Sequence, residues 1–299
     1  MKRKTNQYVW FYIMIGPAIF GFFIFTLGPM ITSLYLSFTK YDVVNPPQWI
    51  GLNNYIYLIK MDPAFWTSIK VTLIFAAVQV PLMLITALST ALLLNNKVKF
   101  LGIFRTIYFL PSLLPATASG VLWVWIFNPN FGLLNKMLAI AGVNGPAWTL
   151  STTWALPALI LMGLWGFGGE MIIFLAGLQD IPEVLYEAAD IDGASSLSKF
   201  KHITFPMITP VFFFNLVMGV IGAMKVFDQA YVFGATGGAG PGGPARATLF
   251  YVLNLYQKSF TYFHMGLGSA MAWLLFVMII GLTYINFKLA KKWVHYGGN

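Results

Sequence analysis

Long apolar runs parted by short polar stretches set the plan of this chain. Apolar residues dominate over about 9–36, 68–94, 103–127, 154–178, 207–230 and 267–289. A helix needs about 20 such residues to cross a bilayer, and every run reaches that length. The pattern therefore predicts six membrane-spanning helices. Gly16-Pro17 and Gly28-Pro29 predict kinks in the first, Pro81 falls near the middle of the second, and Pro111 and Pro115 break the third. Trp123 and Trp125 close the third span as interfacial anchors. Residues 39–67, 128–153 and a Gly-rich stretch before the last span read as external loops, with the amphipathic run Leu52–Ile59 suited to the membrane interface.

Composition agrees with this plan. Hydrophobic residues make up 58% and charged ones 9%, against about a quarter charged in an ordinary soluble domain. The run after Met1-Lys2-Arg3-Lys4 is too long for a signal-peptide core and lacks a small-residue cleavage site, so it reads as a first span with a cytosolic N-terminus. The net charge of +9 does not imply nucleic acid, because the position of the cations relative to the spans accounts for it. With six spans and both termini inside, eleven of the 18 Lys and Arg residues fall on the cytosolic side and six outside, with Lys225 inside the fifth span. That excess follows the positive-inside rule. The chain has no cysteine, which excludes disulfides, thiol catalysis and Cys-based metal sites.

The longest charged island is Asp180–Pro210, which holds Asp180, Glu183, Glu187, Asp190 and Asp192, five of the nine acidic residues. Pro182 suits a first helical turn, where its missing N–H costs nothing. Gly193 suits a helix end that needs a left-handed residue. Ser195 or Ser196 can cap a second short helix carrying Leu197, Phe200 and Ile203 on one face. Two short helices on the membrane surface are expected here, Ala188-Ala189 giving the first a low-relief side for a partner's backbone. A solvated loop between spans would account for the charge but not for the order of residues.

That order carries a resemblance. Glu187-Ala188-Ala189, Asp192-Gly193-Ala194, Phe200, Ile203 and Phe205-Pro206 resemble the E-A-A…D-G-A…I-x-L-P signature of binding-protein-dependent ABC importer permeases, with Phe205 where Leu is usual. Phe174–Pro182 (F-L-A-G-L-Q-D-I-P) looks like the sugar-importer branch, the relatives of maltose and glycerol-phosphate permeases. The resemblance implies an all-α integral membrane protein of type I importer permease fold, a single domain over 1–299 with a cytosolic coupling loop at 180–206. It implies a bacterial or archaeal inner membrane and both termini in the cytosol. The implied partners are a second homologous permease, two ATPase subunits (alike or different), an extracytoplasmic solute-binding protein and membrane lipid. Glu187, Ala188, Ala189, Asp192, Gly193 and Phe200 would couple to the ATPase. ATP and Mg would be bound there, with no cofactor in this chain.

The remaining motifs say less. Gly238, Gly240 and Gly243 match G-x-G-x-x-G, but no strand precedes them and Pro241 and Pro244 forbid a helix start, so no dinucleotide site is read. No Gly-Lys-Ser/Thr occurs, so the chain lacks a P-loop. By the resemblance, Asp228, Thr236, Gly243 and Pro244 belong to an external loop facing the binding protein, although its Gly stretch is longer than usual. His202, His264 and His295 lie too far apart to hold a metal. Gly163, Gly166 and Gly169 in the fourth span, and Gly219 and Ala223 in the fifth, give small faces for close packing. Charge within spans is costly and marks cavities or partners, which singles out Glu170, Lys225 and Asp228, the last two near enough to pair. At about 1.5 Å per residue, Trp165 falls near the bilayer middle. A sugar needs an aromatic platform beside polar groups, so Trp165, Glu170 and Asn215 are the candidates for the substrate path. A self-sufficient secondary transporter or channel, built on Pro81 and Glu170, is the alternative. It leaves the order of Glu187–Pro210 unexplained.

Overall fold

The computed structural model describes residues 2–96 and 99–295. Lys97, one of the cations expected between the second and third spans, lies outside them. Four helical runs are long and apolar enough to cross a membrane: Trp10–Ser37, Pro63–Leu94, Ser196–Met224 and Met265–Ala290. Two bent pairs, each counted as one span, bring the number to six: Leu101–Leu113 with Ala116–Ile126 at 98°, and Ala155–Leu164 with Gly168–Gln179 at 44°.

The chain divides into two compact units. The first comprises Met1–Asp62 with Leu255–Phe276. It holds α1 (Lys2–Phe22), a π turn at Phe23–Leu27, α2 (Gly28–Ser37), an antiparallel ribbon of β1 (Thr39–Lys40) and β2 (Gln48–Trp49), and α3 (Asn53–Lys60). Asn54, buried, donates both amide hydrogens to the Ser37 and Thr39 carbonyls at 2.8 and 2.9 Å, which fixes how the chain leaves the membrane. Lys258 and Asp62 form an ion pair at 2.9 Å.

The second unit comprises Pro63–Asn254 with Val277–Asn299. Its elements are α4 (Pro63–Leu94), α5 (Leu101–Phe109), α6 (Ala116–Ile126), α7 (Leu133–Ile140), α8 (Ala155–Leu164), α9 (Gly168–Gln179), α10 (Glu183–Ile191), α11 (Ser196–Lys199), α12 (Phe205–Met224) and α13 (Asp228–Thr236). The short α14 (Tyr251–Tyr256) and the long α15 (Met265–Ala290) cross from one unit to the other. α4 is the centre of this unit and packs on α8, α9 and α12. Buried Ala87, Ala91, Ala155 and Ala158 let these helices approach, and Phe75, Leu84, Leu159, Met171, Phe174 and Ile208 fill the core. At Gly168 a side chain would meet the Tyr108 carbonyl, so α9 can start where it crosses the end of α5 only with glycine there.

Prolines shape the spans in three ways. Pro115 holds Leu114 in an extended conformation (φ −74°, ψ 136°), as a residue before proline prefers, and the third span turns through 98° there. Pro29 and Pro206 each stand two residues beyond a π turn, Phe23–Leu27 and Phe200–Thr204. A proline has no N–H for the carbonyl four residues back, and in both places that carbonyl lies within the wider turn. The helix therefore continues, and α11 runs without a break into α12 as Ser196–Met224. The second short helix expected between the fourth and fifth spans is thus the first turn of the fifth. Pro210 frees the Pro206 carbonyl, and the Thr209 hydroxyl donates to it instead at 2.7 Å. The same hydroxyl accepts the His295 N–H at 2.9 Å, and Trp293 packs edge-on against Phe212 and Phe213.

Beyond α6, the fully buried Phe127 joins Trp123, Trp148 and Phe233 with ring centroids 5.1, 5.6 and 6.3 Å away. Trp148 donates its indole N–H to Asn135 at 2.6 Å. Emptying such a site costs about 3–5 kcal/mol, so Phe127→Ala is expected to lower the unfolding midpoint clearly in a mixed-micelle denaturation series. An unchanged midpoint would show that the cluster contributes little.

Candidate functional site

A cleft of about 200 Å³ opens among α4, α8, α9, α12 and the start of α13. Its polar lining is Gln79, Glu170, Asn215 and Gln229, set among apolar residues that include Phe75, Met83 and Met218. Glu170 is half-buried in the first turn of α9, where the helix N-terminus favours a carboxylate. The break in the fourth span creates that N-terminus. Asn215 is buried and donates to the Val211 carbonyl at 3.1 Å.

Gln79 was not singled out from the sequence, where charges drew the attention. Its amide, oriented so that both neighbours are satisfied, donates to the Ile160 carbonyl at 2.8 Å and accepts the Leu164 N–H at 3.2 Å. Gly163 leaves room for it: a side chain there would occupy the place of the amide. A lone glutamine in the apolar run Val71–Leu94 was the available signal.

Of the three residues expected on a substrate path, the structure brings Glu170 and Asn215 to the cleft. Trp165 ends α8 and packs edge-on against Trp123 at 5.8 Å, and it does not line the cleft. Lys225 follows the last residue of α12 and Asp228 opens α13. They form no ion pair with each other. Each instead stands at the helix end whose dipole favours its charge.

The charged island is ordered by a few contacts. Pro182 caps α10, and Gly193 just beyond its end has φ +72°. The Gly193 N–H donates to the Asp190 carbonyl at 3.1 Å and the Ala194 N–H to the Ala189 carbonyl at 2.8 Å. Ser195 caps α11 by accepting the Ser198 N–H. Lys199 pairs with Asp190 at 2.7 Å, and the Tyr186 and Thr204 hydroxyls meet at 2.9 Å, which ties α10 to the base of the fifth span. Glu187, Ala188, Asp192 and Gly193 are exposed, Ala189 and Phe200 half-buried. Around them Val184, Ile191 and Leu197 are 70%, 88% and 76% exposed, an apolar surface beside the charges. Phe200 also lines a groove with Leu197, Lys201 and Phe205.

In the Gly-rich loop, Gly243 (φ +70°) precedes Pro244, and a side chain on it would meet the Thr248 hydroxyl. Asp228 and Thr236 lie at the two ends of α13, and the Thr236 hydroxyl donates to the Val232 carbonyl at 2.6 Å. Among the described residues no group of His, Cys, Asp or Glu converges to hold a metal.

A multi-span helical fold with a small polar cleft among its spans and an ordered charged loop between two of them is that of a type I ABC importer permease. Residues 83–293 match the "Binding-protein-dependent transport system inner membrane component" family, and the chain belongs to it. It is 44% identical to the "Probable ABC transporter permease protein YesP" of Bacillus subtilis, over 95% of this chain and 91% of that protein. It is 36% identical to the "Trehalose/maltose transport system permease protein MalF" of Thermococcus litoralis, over 97% and 96%. A solved bacterial ABC transporter for import of the acidic polysaccharide alginate has the same fold, with TM-score 0.82 at 22% identity, over 97% of this chain and 98% of that one. The chain is accordingly a multi-pass transport component and not an enzyme.

The left-handed Gly193 gives a local prediction. A side chain there costs about 1–2 kcal/mol, so Gly193→Ala should speed trypsin cleavage at Lys199 and Lys201 several-fold in the purified protein. Equal cleavage rates would mean that the turn does not hold the loop in place.

Proposed function

We propose that this permease moves a saccharide, delivered by an extracytoplasmic solute-binding protein, through a path that includes Glu170 and Asn215. The carrying observation is the cleft itself, where Gln79, Glu170 and Asn215 from the spans and Gln229 from α13 stand among apolar walls. That mixture suits a solute with hydroxyls and C–H faces. The printed function of the Thermococcus relative, trehalose/maltose transport, supports the same class. At about 200 Å³ the cleft is smaller than the 300–1,000 Å³ of ordinary ligand sites, in keeping with a path completed by a second permease subunit. Trp165 packs on Trp123, and neither ring lines the cleft.

Energy enters through the loop 180–206, the cytosolic coupling loop of a single permease domain with both termini in the cytosol. Glu187, Ala188, Ala189, Asp192, Gly193 and Phe200 form the face that docks on one of two ATPase subunits, which hold ATP and Mg. Exposed Val184, Ile191 and Leu197 supply apolar area for docking, and the Tyr186–Thr204 contact passes motion to the fifth span. Asp228, Thr236, Gly243 and Pro244 face the binding protein. The order Glu187-Ala188-Ala189…Asp192-Gly193 supports this as the E-A-A motif of the sugar branch.

Glu187→Lys and Gly193→Asp should each abolish uptake by the assembled complex while the chain still inserts, since both lie outside the spans. Asn215→Leu should lower uptake at least about tenfold. The substrate class is tested in proteoliposomes of the full complex offered maltose, trehalose, lactose and arabino-oligosaccharides. Uptake of at least one is expected, and competition by the others is informative. Uptake confined to amino acids or inorganic ions would overturn the saccharide reading.

A further inference from the structure

The first unit carries a pocket of its own, about 480 Å³, which shares no residue with the cleft. Tyr41, Tyr57 and Tyr262 line it together with Lys40, Asp42 and Lys258. One wall is β1 with α3, where the buried Asn54 amide bonds the Ser37 and Thr39 carbonyls. The other wall is a π turn at Gln257–Thr261 and the residues that lead from it into α15. That wall is closed on itself: the Tyr262 and His264 N–H groups donate to the Gln257 and Lys258 carbonyls at 2.9 and 2.8 Å. Phe263 between them has φ +57°. A bulky residue rarely adopts that backbone, and such departures gather at binding sites. The Gly266 N–H reaches the Tyr41 carbonyl at 3.3 Å and joins the two walls.

The lining favours one class of ligand. Lys40 and Lys258 are matched by Asp42 and by Asp62, which pairs with Lys258 at 2.9 Å. With cations and carboxylates in equal number, a neutral ligand fits better than a phosphate, which draws an excess of Arg or Lys. Lys258 is largely buried, with its ammonium 6.0 Å from the centre of the Tyr57 ring. An ammonium has three donors, and among the described residues this one has a single anionic partner, so donors remain for a ligand. Tyr57 and Tyr262 are exposed and offer flat apolar faces beside hydroxyls. A saccharide presents C–H faces to such rings and hydroxyls to mixed donors and acceptors. The volume falls in the range of ordinary ligand sites, about 300–1,000 Å³.

We propose that this pocket is a second saccharide site, on the outer face of the chain. It stands where the first span ends and the sixth begins, the side from which solute arrives when both termini are cytosolic. The inference rests on the saccharide class and the orientation proposed above.

The test is saturation-transfer difference NMR on the purified chain in detergent micelles, with maltose, trehalose, lactose and arabinotriose offered in turn. Wild type is compared with Asn215→Leu, which impairs the cleft, and with Asn215→Leu carrying either Tyr262→Ala or Tyr57→Ala and Tyr262→Ala together. Both tyrosines are exposed, so their loss leaves the packed interior intact. We expect transfer to at least one saccharide in wild type and in Asn215→Leu. Adding Tyr262→Ala should weaken it, and removing both rings should lower it at least about fivefold. Transfer that vanishes in Asn215→Leu alone places binding in the cleft and overturns the second site while the path stands. Transfer that survives removal of both rings overturns it as well. If the tyrosine variants lose transfer while Asn215→Leu transports normally, the second site stands and the cleft is not the path. No transfer to any saccharide in wild type overturns the proposal, and co-purified phosphatidylglycerol that falls in the tyrosine variants would then assign the pocket to a lipid headgroup.

Discussion

A backbone amide or carbonyl inside a bilayer has no water to turn to, and this constraint governs the whole structure. Straight helices meet it within themselves. Several departures from a straight helix here come with a local adjustment of the hydrogen bonds. Pro210 cannot bond the Pro206 carbonyl, and the Thr209 hydroxyl does so. Pro29 and Pro206 each follow a π turn whose wider path accommodates the missing donor. At the bend in the fourth span the Trp165 and Gly166 N–H groups turn to the Met162 and Gly163 carbonyls, three residues back. The spans can therefore be bent where function needs it without leaving groups unpaired.

Bent spans also give the chain places to hold polar chemistry. The break between α8 and α9 makes a helix N-terminus at the level of Glu170, so a carboxylate can stand beside a cleft within otherwise apolar spans. Five of the nine acidic residues are kept in the island at 180–206, where α10 and the base of the fifth span are joined by short polar contacts. A transport component of this kind needs both features: a modest polar path inside and a stiff handle outside. In our reading the fifth span connects them, because α11 and α12 are one helix with Asn215 on it.

The spans were legible because length and apolar content alone decide them. The turn at Pro115 was legible because proline acts on its immediate neighbour. The limits of α10 were legible too, since Pro182 and Gly193 carry local conformational preferences. What escaped was non-local. The contact of Gln79 with the backbone of α8 joins residues distant in sequence, and a lone amide does not announce it. The fusion of α11 with the fifth span depends on a π turn, which no residue preference marks. Depth counting placed Trp165 near the bilayer middle, but depth does not say which way a ring points, and the structure turns it onto Trp123. Glu170 and Asn215 could be named because polar groups are rare in the spans. Their shared cleft required the packing of α4, α9 and α12.

The central claim is that this chain forms a path and a handle but draws its energy from partners. Proteoliposomes test it most directly, by comparing the chain alone, under a proton or sodium gradient, with the complete complex supplied with binding protein and internal ATP. We expect saccharide accumulation only by the complex, dependent on ATP and unchanged when ion gradients are collapsed. Accumulation by the chain alone on an ion gradient would contradict the account and identify a self-sufficient secondary transporter.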